Sequence, residues 1–264
     1  MQRTREPRFL LTSHLTAFVL FVLLVASEFC SPHFDAQAAI AIAPSPTRQQ
    51  TSPLDGGPGG SYIETALGSL TGYAEDIFNL ALAGNLERAE KRLDSLKKQA
   101  VALDCIQDEA NLTLLPRLKR TIADLGKAIS AKNVQETLRK ANRVTLIAAA
   151  LAVPYKPRIP TEVSLLEYNG REIEIWSAVK RVDKLSGITL RMHLAWQTLM
   201  PKLIQYNGDK ELKRFSELMR RLEQARTAEE YDRVSKQILA GTETLEAIFA
   251  KPITESGHHK VPHP

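Results

Sequence analysis

Cysteine is nearly absent. Cys30 and Cys105 are the only two in 264 residues. Cys30 falls in an N-terminal stretch laid out like an export signal, so Cys105 is left alone and no internal disulfide framework is available. Its plainest reading is a small apolar residue at a helix end, with an interchain disulfide as the alternative. Catalytic signatures are missing too. The chain has no glycine-rich phosphate loop, no G-x-S-x-G and no H-E-x-x-H. It also lacks C-x-x-C-H haem attachment and the paired Glu-x-x-His of di-iron bundles. Catalysis can be built from dispersed residues, so these gaps weigh against an enzyme without excluding one. Charge of one sign is not in large excess. The formal net charge is +5 in a chain that is 25% charged. A nucleic-acid footprint needs lysines and arginines clustered on one face, and export argues against that partner as well.

What is present begins with the N-terminus. Met1 to Arg8 holds three arginines, Leu15 to Ala26 is a largely apolar run, and Ala36-Gln37-Ala38 fits a small-x-small cleavage site. This is the three-part layout of a secretory signal peptide over 1–38. The alternative is an uncleaved inner-membrane anchor over 9–26. That stretch is 18 residues, interrupted by Thr12, Ser13 and His14, whereas a spanning helix wants about 20. Ser27-Glu28-Phe29 before Cys30 is a poor lipoprotein signal. The expected product is a periplasmic or secreted chain cut near Ala38, with the membrane involved only through an uncleaved N-terminal segment. Residues 39–60, with "APSPTRQQTSPLDGGPGG" at 43–60, read as a flexible Pro/Gly/Ser-rich linker.

From Ser61 the pattern is helical. Ser61 and Glu64 are spaced as a capping box, and Leu67, Leu70, Ala74 and Ile77 follow at helical intervals. Gly84 closes this helix and Asn85 caps a second, to about Leu103. A third is expected from about Leu114 to Ala131, with Pro116 in its first turn. Asn133 to Glu136 caps a fourth, whose end "VTLIAAALAV" is apolar all round. Ten residues are too few to span a bilayer, so that run is a buried helix end. "PYKPRIP", 154–160, cannot be helix and divides a first helical unit (61–153) from a second (161–250).

"SLLEYNGREIEIW", 164–176, carries Asn169-Gly170, a strong hairpin signal. As a hairpin it has no third strand to join, and isolated hairpins are marginal in water. As a helix it aligns Leu165, Tyr168, Ile175, Val179 and Val182 on one stripe. Helix is the preferred reading, and Gly170 then implies close approach of a neighbour. Further helices are expected from about Lys184 to Tyr206, around Phe215, Leu218, Leu222 and Ala225, and from a capping box at Thr227-Glu230 through Phe249. Leu118-Lys119-Arg120 and Leu212-Lys213-Arg214 are 94 residues apart, as are the caps at Asn133 and Thr227. The fold class is therefore all-α. About eight short helices form either two tandem four-helix units from an internal repeat or one merged bundle.

Candidate chemistry is sparse. Helical phase sets Glu172 within the apolar stripe, where a carboxylate is costly unless paired or bound. His193, on the next helix, is its candidate partner for a metal site. The plainer readings are a stripe-edge Glu reaching a cation or water, and a packing His near Met192 and Trp196. His193 and Met200 lie about 10 Å apart along one helix, too far to share an ion unaided. His258, His259 and His263, in a tail at 251–264 expected to be disordered, can capture Zn, Cu or Ni, and adventitious binding is the plainer account. No cofactor is expected. The leading functional expectation is an exported, non-enzymatic helical module that binds or scaffolds a protein partner. The rival is a metal- or haem-binding bundle using Glu172 and His193. The sequence sets neither the partner nor the oligomeric state.

Overall fold

In the computed structural model, residues 58–105 and 111–251 are described. The expected signal peptide, nearly all of the linker, and the tail with His258, His259 and His263 lie outside the described residues. Eight α-helices and no strand occur among those described: α1 (Pro58–Leu82), α2 (Leu86–Ala102), α3 (Asn111–Ser130), α4 (Val134–Ala152), α5 (Thr161–Ala178), α6 (Val182–Gln205), α7 (Asp209–Gln224) and α8 (Ala228–Phe249). The all-α bundle is as the sequence implies. No described helix is long and apolar enough to cross a membrane.

Local chemistry sets the boundaries. Asn85 accepts a hydrogen bond from the Arg88 backbone N–H at 3.2 Å, and Asn133 accepts from Glu136 N–H at 3.0 Å. Each cap satisfies a donor that the first helical turn leaves free. Thr227 and Glu230 form the full reciprocal box. Gly84 ends the first turn with φ +74°, a left-handed conformation that suits glycine. Two boundaries differ from expectation. Helix α1 begins at Pro58, so Ser61 lies inside it rather than at its cap. Proline is pre-set for a first helical position and forfeits only an N–H that would be unpaired there. Helix α3 starts at Asn111, which moves Pro116 past the first turn and removes its hydrogen bond to Leu112.

The segment with Asn169-Gly170 is helical. Leu165, Tyr168 and Ile175 are buried, but so are Val163, Leu166 and Ile173. The predicted stripe is one side of a helix covered on several. Val179 and Val182 are exposed, because α5 stops at Ala178 and Lys180 turns the chain at φ 54°.

Helix α1 packs on α2 and α4, and α3 bridges α2 and α4. Helix α5 packs on α6 and α8, and α7 bridges α6 and α8. The two sets meet chiefly along α4 and α5, and from Pro58 onward the chain is one compact unit. Leu70, Ile77, Leu96, Leu125 and Ile147 share one core cluster that extends to Ile175 of α5. In the second set the Trp196 and Phe215 rings stack at 5.3 Å. Full burial of each such side chain stabilises by about 1.5–3 kcal/mol.

Successive helices run antiparallel. Gln99 near the end of α2 reaches the Ala66 carbonyl near the start of α1. Lys202 near the end of α6 reaches Glu162 at the start of α5. Arg158, in the connector, takes Glu64 on its backbone N–H at 3.3 Å and donates from its guanidinium to the Ala250 carbonyl at 3.1 Å. The start of α1, the connector and the end of α8 therefore share one end of the bundle. The tight turns at 83–85, 131–133, 179–181 and 225–227 lie at the other.

Gly170 faces Leu239 of α8. A Cβ there would sit 2.8 Å from Leu239 Cδ2 and 2.9 Å from Cγ, which is overlap. The close approach inferred from sequence is present. Gly170→Ala is expected to destabilise the protein by about 1–3 kcal/mol in urea unfolding, although Ala is favoured over Gly by about 1 kcal/mol in an open helix. In a Leu239→Ala background the same change should become neutral or stabilising. A stabilising Gly170→Ala in the unaltered chain would refute the contact.

Candidate functional site

Glu172 is buried at 7% exposure. Its two oxygens accept from Asn142 Nδ2 of α4 and from Trp176 Nε1 one turn on, each at 3.0 Å. Asn142 spends its other amide hydrogen on the Tyr168 carbonyl at 3.0 Å, and Arg139 lies over the Trp176 ring at 5.3 Å. Glu172 thus sits in a hydrogen-bonded knot at the α4–α5 seam. His193 is half-buried at a different seam. Its Nδ1 faces Glu223 Oε1 of α7 across 2.6 Å, and its Nε2 lies 2.7 Å from Gln197 Nε2. Among the described residues no group of three His, Cys, Asp or Glu side chains is placed to hold an ion.

The sequence did not single out a second set on α5. Arg171 bonds Glu75 of α1 at 3.0 Å and is mostly buried, with its guanidinium 5.7 Å from the Phe78 ring centre. Glu167, one turn earlier, accepts from the Thr242 hydroxyl of α8 at 3.1 Å. Burial, followed by repulsion from Glu75, pushes the Glu167 carboxyl up to about 7, with Glu246 of α8 adding to the rise. Glu246 is itself raised by burial and then by Glu75 and Glu243. Three carboxylates from three helices thus converge on one arginine. A clue was available in the sequence: 161–178 has apolar residues on every side. A helix with no wet face must find partners for each of its polar residues.

An open cleft of about 650 Å³ lies where α5 ends and α8 begins, lined by Ser177, Ala178, Glu229, Asp232, Lys236 and Gln237 among others. Its charges are interleaved. Lys236 Nζ is 2.8 Å from Asp232 Oδ2, and Lys180 Nζ is 3.9 Å from Glu229. Next to it, burial and then the Asp232 charge raise the Glu174 carboxyl above its ordinary value. Ser177 is 6% exposed, and its hydroxyl has no hydrogen-bond partner. A buried hydroxyl in that state costs about 1–3 kcal/mol.

Comparison with protein-family models, with curated proteins and with solved structures gave no match.

Two outcomes follow from the α5 cluster and the Glu172 knot. Glu167 holds its proton to higher pH folded than unfolded. Its stabilising contribution is therefore whole below about pH 4.5 and is lost as pH rises through about 7. The loss is at most about 3 kcal/mol. Urea unfolding between pH 5 and 8.5 should show this fall, and Glu167→Gln should flatten it. An equal slope in the variant would assign the fall elsewhere. Elemental analysis of the chain, purified without an added histidine tag, should find no metal that depends on Glu172 or His193. About one equivalent lost in Glu172→Gln or His193→Gln would place a metal site there.

Proposed function

We propose that this chain is an exported helical module without enzymatic activity, and that it binds a polar segment of a partner protein in the cleft between α5 and α8. The observation that carries the reading is the Ser177 hydroxyl, buried in the cleft wall with no partner of its own. A bound backbone can supply the missing hydrogen bond and recover that cost. The interleaved lysine and carboxylate pairs suit a peptide of mixed charge rather than a strongly anionic ligand. Export rests on the N-terminal sequence, with cleavage near Ala38 as the leading fate and retention of 9–26 as the alternative. We also infer that the two helix sets arose by duplication. Helices α4 and α8 start 94 residues apart, at Val134 and Ala228, and the order of helix contacts is the same in both sets.

A photo-crosslinking amino acid at Gln237, in the full chain within its own cell, tests the cleft. The expected result is one discrete adduct that disappears when Ala178→Trp fills the cleft, with helicity and melting temperature unchanged. An adduct pattern matching that of the same probe at Glu90, on α2, would remove the proposal.

A further inference from the structure

Carboxylates are unevenly shared among the helices. Helix α1 carries Glu64, Glu75 and Asp76 and no lysine or arginine. Helix α5 has four carboxylates and one cation, and α8 has five and two. Each of the other five helices has more cations than carboxylates, and the chain as a whole stands at +5. The three acidic helices lie together. Arg171 of α5 reaches Glu75 of α1, and Glu167 of α5 reaches Thr242 of α8. Arg158 joins Glu64 of α1 to Ala250, just past α8.

One row of α5 runs between α1 and α8. Ser164, Glu167, Arg171 and Glu174 repeat at helical spacing and are half-buried. The row leads into the cleft. Glu167 lies near Thr242 and Glu246, Glu174 lies near Asp232 and Lys236, and Ser177 follows in the cleft wall. Two cations, Arg171 and Lys236, thus stand among five carboxylates: Glu75, Glu167, Glu174, Asp232 and Glu246. Burial raises the carboxyls of Glu167, Glu174 and Glu246, and in each a neighbouring carboxylate is the second cause. Neither Glu174 nor Glu246 holds an ion pair of its own among the described residues.

We propose, resting on the cleft as the binding site, that this row extends it and takes lysine or arginine side chains of the partner segment. Ser177, a buried hydroxyl left without a partner where the row meets the cleft, is an independent sign of a ligand. From Glu167 to Ser177 the row is about 15 Å long, the reach of about five residues of extended chain. A cleft lined by one sign of charge focuses its field on an incoming opposite charge. A cation seated there relieves carboxylates that repel one another, which an anionic or apolar segment does not.

The test is fluorescence titration of the full chain with a labelled oligolysine. Binding should weaken as salt rises. It should tighten as pH rises through about 7, where Glu167 loses its proton, and Glu167→Gln should remove most of that dependence. Glu174→Gln with Glu246→Gln should weaken binding at least about threefold and leave stability in urea equal or higher, because repulsion is removed. Glu87→Gln with Glu90→Gln, the same change of charge on α2, should leave binding unchanged. No binding, or equal losses from the two pairs, would overturn the proposal. A discrete Gln237 adduct together with no oligolysine binding would overturn it and leave the cleft reading standing. Full displacement by millimolar magnesium at matched ionic strength would overturn it too, because the row would then be a site for a metal cation.

Discussion

Helix α5 has no free face, and much of the second helix set depends on that constraint. It is covered by α4, α6 and α8, yet its sequence carries Glu162, Glu167, Asn169, Arg171 and Glu172. A buried polar group without a partner is costly, so each of these residues fixes a neighbour. Glu162 takes both its oxygens to Lys202 of α6, at 2.8 and 2.7 Å. Asn169 donates to the Leu165 carbonyl at 2.7 Å and accepts from Arg191 of α6 at 3.2 Å. Glu172 ties α5 to α4, Arg171 ties it to α1, and Glu167 ties it to α8. Apolar packing alone tolerates a helix that slides or rotates by a few ångströms. These bonds do not, and they give the merged bundle its register.

An even number of antiparallel helices has a second consequence. Both chain exits fall at one end, and so does the α4–α5 connector. Neighbouring antiparallel helices also cancel one another's macrodipoles. Any electrostatic difference between the two ends therefore comes from side chains and from how they pair. Ion pairs occur at both: Arg220 with Glu217 and Lys236 with Asp232 at the turn end, Lys119 with Asp104 and Lys202 with Glu162 at the exit end. A net charge of +5 says nothing about this pairing, which exists only once the helices are threaded up and down.

Local features of this fold were legible in the sequence because they depend on residues three or four apart. The caps at Asn85, Asn133 and Thr227 are examples, as is the helix expected from about Lys184 to Tyr206 and found at Val182–Gln205. The helical state of 164–176 was legible for the same reason. Its period outweighed the Asn169-Gly170 turn signal, and glycine supplied the clearance that Leu239 occupies. The two misplaced helix starts, at Pro58 and Asn111, have the same root. Backbone N–H groups in a first turn need no intrahelical partner, so sequence sets only weak limits on where that turn begins.

Partnership across helices was not legible, and Glu167 and Glu172 show why. Both are carboxylates on α5, five residues apart. Helical phase marked Glu172 because it interrupts an apolar stripe, and it is indeed buried. Glu167 sits at a stripe edge and drew no notice. Their surroundings come from residues at distances no periodicity reports: Asn142 is 30 positions from Glu172, and Thr242 is 75 from Glu167. Glu172 accepts from the N–H groups of Asn142 and Trp176, among its contacts. Glu167 meets one hydroxyl, and two other carboxylates contend for the same Arg171. Burial is common to both residues, so it is the identity of the facing helices that sets their partners, and for Glu167 those neighbours help raise the carboxyl to about 7.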